Sequence, residues 1–307
     1  MHRSWLFVPG DSPRKIDKAF SAGADAVILD LEDSIAVSAK ALARRTVLAA
    51  LRAAPRGADA PALYVRVNSE SEQNQRDLDV VMAAAPDGIM LPKAEGGADV
   101  ALLSARLAVR EATHQLVDGS TKIVALVTET AAAMFSGGSY RGVDPRLAGL
   151  SWGAEDLGAE IGALASRDET GEWTAPFQLA RSICLFAAAA ARVPAIDTVF
   201  VDFRDEAGLA RECAAALRDG FSGKLAIHPA QVPIINEGLT PSAAQLDHAR
   251  RVVAAFAASG DAGVTALDGR MLDRPHLFAA QRILGLAATP QPRPEGLFMR
   301  KSSSTTA

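Results

Sequence analysis

Cysteine is almost missing from this chain: only Cys184 and Cys213 occur in 307 residues. Each lies in an alanine-rich helical pattern without the spacing of a metal cage or a redox pair, so a disulfide framework is excluded and two buried thiols in a reducing cytoplasm are expected. Aromatic residues are scarce as well, at 5%, which suits small-residue helices packed closely on a strand core. No run of about 18 apolar residues occurs, and Met1-His2-Arg3-Ser4-Trp5 lacks the apolar stretch of a signal peptide. A soluble cytoplasmic protein is expected, with no membrane partner. The net charge of −4 gives no general attraction to nucleic acid, so no nucleic-acid partner is expected either. Finally, no GxGxxG follows the first apolar run, which removes the usual dinucleotide reading.

What the chain does have is rhythm. Short apolar runs recur at Trp5-Leu6-Phe7-Val8, Ala26 to Leu31, Leu63 to Asn68, Gly88 to Leu91, Ile123 to Val127, Leu147 to Leu150, Thr198 to Val201 and Gly223 to Ile227. Each one is followed by a helical segment, the run before Glu129 included. Eight such repeats predict a closed, all-parallel (β/α)8 TIM barrel in preference to an open sheet. Residues 1–238 are assigned to the barrel and 239–290 to a C-terminal helical arm, which could pack on its own barrel or on a neighbouring subunit. The Ser- and Thr-rich residues 291–307 are expected to form a flexible tail.

In such a barrel the C-terminal strand ends carry the chemistry. Asp30, Glu32, Asp33, Arg66, Asn68, Lys93, Glu129, Glu155, Asp156, Asp202 and His228 all fall there. So many ionisable groups on one rim would be costly without a function. Glu129 and Asp156 close consecutive strands, and neighbouring strands lie roughly 4.8 Å apart, so the two carboxylates could share one divalent cation. Two oxygens hold Mg²⁺ weakly, which implies that substrate completes the octahedron. Structural alternatives stand beside each role. Glu129 and Asp156 could merely favour helix starts, Arg66 could form a rim ion pair with Glu32 or Asp33, and Asp273 could begin the last helix.

The string RSWLFVPGDSPRKIDKAFSAGADAVILDLEDSI, followed in order by VRVN, GIMLPKAE, IVALVTET, LSWGAEDL, VFVDFRD and GKLAIHPAQV, strongly resembles the citrate lyase beta subunit-like (CoA-ester lyase) branch of the HpcH/HpaI aldolase family. The likeness spans about residues 3 to 290. It implies a (β/α)8 barrel, a Mg²⁺ site (Mn²⁺ possible), a CoA thioester substrate, and a homotrimer or a hexamer of trimers. The implied reaction is cleavage of a β-hydroxyacyl-CoA, such as malyl-CoA or citramalyl-CoA, to acetyl-CoA or propionyl-CoA plus a 2-oxoacid, glyoxylate or pyruvate. The alternatives are malate synthase-like condensation with thioester hydrolysis, or a citrate lyase beta-type subunit acting on a citryl carrier protein. Carried over by motif, Arg66 is the catalytic and carboxylate-binding arginine. Glu129 and Asp156 are the metal and substrate ligands. In LDGRMLDRP, Asp273 resembles a catalytic aspartate delivered into the adjacent subunit's site. Carrier-dependent subunits are expected to be shorter and to lack this arm, which favours free CoA. Arg3, Arg14, Lys15, Lys40 and Arg44 are candidates for the CoA phosphates.

Overall fold

The computed structural model describes residues 2–57, 59–260 and 263–287; the tail expected at 291–307 lies outside these residues. Eight parallel strands close into a barrel in sequence order: β1 (Ser4–Pro9), β2 (Ala26–Asp30), β3 (Ala62–Arg66), β4 (Gly88–Leu91), β5 (Lys122–Leu126), β6 (Leu147–Ser151), β7 (Ala195–Asp197) and β8 (Gly223–Ala226), with β8 pairing back onto β1. The helices around it are α1 (Pro13–Phe20), α2 (Lys40–Ala53), α3 (Ser71–Val81), α4 (Gly97–Thr113), α5 (Ala154–Ile161), α6 (Ala175–Ala191), α7 (Glu206–Asp219) and α8 (Gln231–Gly238).

The strands read as unbroken apolar runs because both of their faces are buried. One alternation, Trp5, Ala26, Ile28, Ala62, Tyr64, Met90, Val124, Leu126, Ile196 and Leu225, fills the barrel interior. The other, with Leu6, Val27, Leu29, Leu63, Val65, Ile89 and Ile123, packs beneath the helices. Glycine has a steric task here. A Cβ on Gly88 would lie 2.2 Å from the Tyr64 ring, so only glycine lets that ring cross the barrel beside β4.

Two local expectations need correction. The seventh strand is Ala195–Asp197, earlier and shorter than the Thr198–Val201 run; Asp197 ends it because its buried carboxylate is held by Trp152, Arg181 and Lys224. The segment after Glu129 is two short 3-10 turns, Ala132–Phe135 and Gly137–Tyr140, and no α-helix. Gly137 and Gly138 disfavour helix continuation there.

After α8 come α9 (Ala243–Ala258), a hairpin of β9 (Val264–Leu267) and β10 (Arg270–Asp273), and α10 (Arg274–Ala287). Ser242, with Gln245, forms a capping box at the start of α9, which ends the α8–α9 link cleanly. Ala249, Val252, Phe256, Leu272 and Ala280 make a small core of their own, distinct from the two barrel cores. No described helix is long and apolar enough to cross a membrane.

Candidate active site

Five consecutive strands, β2 to β6, deliver charged side chains to one rim. Asp30 is the last residue of β2, and Glu32 and Asp33 follow it. Arg66 ends β3. Its Nε and Nη2 donate to the two oxygens of Asp30, both at 2.7 Å, and Nη1 lies 3.1 Å from Glu32. The Phe7 ring sits 4.8 Å from the guanidinium carbon, closing one face. A side-on bidentate pair fixes the plane of the group, and the guanidinium has five N–H donors in all, so further N–H groups stay available to a ligand.

Lys93 is the hub. Its backbone is left-handed, with φ of 51°, a conformation that costs energy for a side chain with a Cβ. In return its N–H donates to Glu129 Oε2 at 2.7 Å, and its ammonium contacts Glu32, Asp33 at 2.8 Å and Asp156 at 3.3 Å. Burial alone would lower this ammonium's pKa, but hydrogen bonds to Asp33 and Glu32 and the charges of Glu32 and Asp156 hold it above its ordinary value.

Glu129 is strongly perturbed. It is only 4% exposed, and burial, reinforced by the nearby Asp156 charge, pushes its pKa up to about 8 against the pull of the Lys93 N–H and Arg66. Burial also raises Glu32, although Arg66 and Lys93 oppose it. Asp30 goes the other way: desolvation is outweighed by Arg66, Ser34 and the Glu32 N–H, and its carboxyl stays below the usual range.

Asp156 belongs to the first turn of α5, whose N-cap position is Gly153, so it is no cap itself. The β6–α5 turn passes very close to Glu129: a Cβ on Gly153 would fall 2.7 Å from Glu129 Cγ. Glycine therefore lets the two acids converge. Among the described residues the cations paired with Asp30, Glu32, Asp33 and Asp156 are Arg66 and Lys93, so acidic groups outnumber cations at this rim and a divalent cation would redress the balance. Among the described residues no group of three or more His, Cys, Asp or Glu forms a metal cage, so a divalent cation on this rim would need waters or ligand oxygens to complete its shell.

Other rim residues have structural tasks. Asn68 is buried and bridges Leu31 and Asp77. His228 accepts the Ala230 N–H and stacks on Phe203. Asp202 closes a turn onto the Arg204 N–H, and Glu155 is exposed. Asp273 lies at the end of β10, 2.5 Å from His276 Nδ1; within one chain it is not brought together with Arg66, Glu129 or Asp156. Of the basic candidates for phosphate, Arg3 is tied to Asp25, Lys40 to Leu31, Glu32 and Asn68, and Arg44 to Asp77. Arg14 and Lys15 remain exposed. Sequence reasoning did not find Asp30 as the partner of Arg66, nor the role of Lys93. The first had a signal in the β2–β3 pairing, which opposes Asp30 to Arg66.

Residues 3–229 match a known family model, described as HpcH/HpaI aldolase/citrate lyase. The chain belongs to that family. Residues 172–289 also match the model of a carbon-carbon bond lyase of the TIM-barrel fold, and the protein is accordingly a carbon-carbon lyase. The (3S)-malyl-CoA thioesterase of Cereibacter sphaeroides is 35% identical, across 93% of this chain and 94% of that protein. The citrate lyase subunit beta of Escherichia coli is also 35% identical, over 93% of each chain. The crystal structure of CitE from Mycobacterium tuberculosis, in complex with magnesium, acetoacetate and coenzyme A, is 37% identical and covers 93% of this chain and 98% of its own, with a TM-score of 0.74. The match to the Escherichia coli subunit overturns the expected length difference. A citrate lyase subunit aligns over 288 residues, so length and the arm do not separate free-CoA from carrier-bound substrates.

Proposed function

We propose that this lyase cleaves a β-hydroxyacyl-CoA thioester to an acyl-CoA and a 2-oxoacid, with a divalent cation, Mg²⁺ or Mn²⁺, held by Glu129 and Asp156. The observation that carries the reading is the pairing of a buried, charge-poor Glu129 with Asp156 across a glycine turn, beside an arginine fixed side-on. The CoA-bound neighbour and the malyl-CoA relative favour a CoA thioester.

When bound, the cation supplies Lewis acidity, lowering the pKa of a substrate hydroxyl and polarising the product's 2-oxo group. The chain's own residues do the rest. Arg66, held by Asp30 and Glu32, offers its remaining N–H groups to the substrate carboxylate. Lys93 keeps Glu32, Asp33 and Asp156 gathered while its N–H orients Glu129. Asp273 is the acid that protonates the α-carbon of the departing thioester enolate, or the base that removes that proton in reverse. Because among the described residues its side chain pairs with His276 within its own arm, it serves the site of a second copy, in a homotrimer or a hexamer of trimers.

The test is a panel of malyl-, methylmalyl-, citramalyl- and citryl-CoA assayed for 2-oxoacid release with Mg²⁺. Release from at least one supports the reading. Release of free CoA together with malate from acetyl-CoA and glyoxylate would move the assignment to condensation with thioester hydrolysis, a reading that the malyl-CoA thioesterase relative favours. No turnover of any thioester, with activity on a citryl carrier protein, would replace it with the carrier-dependent subunit.

A further inference from the structure

Away from the rim, the chain buries a second cluster of charges that the proposed chemistry does not use. Lys224 on β8 is wholly buried and points outward from the barrel, since its neighbour Leu225 fills the interior. Its ammonium donates to Thr198 O and to Glu212, both at 2.9 Å, and lies 3.6 Å from Asp197. Asp197 accepts the indole N–H of buried Trp152 at 2.7 Å and pairs with Arg181 at 3.3 Å. Glu212 pairs in turn with Arg167, whose guanidinium lies 3.6 Å from the Trp173 ring; Trp173 meets Trp152 edge to face at 5.1 Å.

The two exits of this cluster straddle α5. Trp152 immediately precedes Gly153 and the helix, whereas Arg167 sits six residues beyond its last residue, Ile161. The helix has little hold of its own. Only Ala154 and Leu157 are buried, while Ile161 and Leu164 just beyond it are exposed. A buried ion pair seldom adds net stability compared with apolar packing, so stability alone does not account for this cluster.

We propose that the Lys224–Asp197–Glu212 cluster is a clamp that positions α5, acting through Trp152 at one end and Arg167 at the other, and so sets Asp156 against Glu129. Lys224, Asp197 and Glu212 are positioning residues and touch no substrate. The inference rests on the assignment of Glu129 and Asp156 as cation ligands.

The experiment is Mn²⁺ binding to the substrate-free protein, read by electron paramagnetic resonance, alongside Tm. Trp152→Phe removes the N–H while keeping most of the ring, Asp197→Asn removes the charge, and Arg167→Gln releases the other end from the protein surface. A loss of Mn²⁺ affinity of about tenfold or more, the usual size for groups that orient a metal ligand, is expected for Trp152→Phe and Arg167→Gln. The Tm in saturating salt without metal should shift little for Arg167→Gln. Affinities within twofold of the unaltered protein in any two folded variants would overturn the clamp. Glu129→Gln separates the two ideas: if the unaltered protein and Glu129→Gln bind Mn²⁺ equally, the ligand assignment itself fails.

Discussion

Glu129 shows what one residue's surroundings can impose. Burial pushes its pKa up to about 8, against 4.5 for an ordinary glutamate, so between these values the folded chain holds a proton that the unfolded chain has released. Stability therefore falls as pH rises through that window, because the unfolded state binds fewer protons. We expect the Tm of metal-free protein to drop from pH 5 to pH 8 relative to Glu129→Gln, and added Mg²⁺ to remove the difference near pH 8. An identical pH profile for the two proteins would contradict the burial of an uncompensated carboxyl. Cation affinity should rise with pH up to about 8, since a carboxylate must lose its proton to ligate. Arg66→Lys keeps the charge and loses the fork that grips Asp30 and a carboxylate together. A KM for the acid fragment raised roughly tenfold or more, as expected for losing one charge-assisted hydrogen bond, is the outcome to check by steady-state kinetics in the condensation direction.

At the scale of elements, the β6–α5 turn decides how near two acids can come. Gly153→Ala introduces a Cβ 2.7 Å from Glu129 Cγ, closer than atoms tolerate, so the carboxylates must part. Turnover should fall by about a hundredfold, in line with an ångström-scale misplacement at a reacting centre, while circular dichroism stays native. Near-normal turnover would mean that Glu129 and Asp156 need no close approach. Strand ends such as Asp30, Arg66 and Glu129 were legible in the sequence because apolar runs that stop at a charge mark where a barrel strand leaves the core. The seventh strand was misplaced for the same reason in reverse. Asp197 is a buried charge that ends the strand, made tolerable by Lys224 and Trp152 from 27 and 45 residues away, and no local pattern announces such partners. The hairpin ending at Asp273 was missed as well, since its strands, with a two-residue turn at Asp268-Gly269, bury only Leu272 and lack a one-sided apolar alternation.

For the molecule as a whole, the barrel and the arm have separate cores, and Asp273 rides on the arm. If it serves a neighbour's site, two inactive variants should complement each other. Mixing Arg66→Ala with Asp273→Asn after dissociation and reassembly should restore part of the activity, because some sites then combine an intact rim with an intact arm. No recovery, with mixed oligomers demonstrated by mass spectrometry, would place Asp273 in its own chain's site or outside catalysis. The fold, the rim and the family could be read from eight repeats and a series of motifs in order. The relation of arm to rim was beyond reach, since Asp273 lies 117 to 207 positions along the chain from Asp156, Glu129 and Arg66 and no local pattern ties them together.

The most direct check on the central claim is the cation dependence of 2-oxoacid release from the best thioester substrate. The unaltered enzyme should lose activity in chelator and regain it with Mg²⁺, and Glu129→Gln and Asp156→Asn should show no Mg²⁺-restored release. Release at near-normal rates from either variant, or from the unaltered enzyme in excess chelator, would contradict the assignment of these two carboxylates.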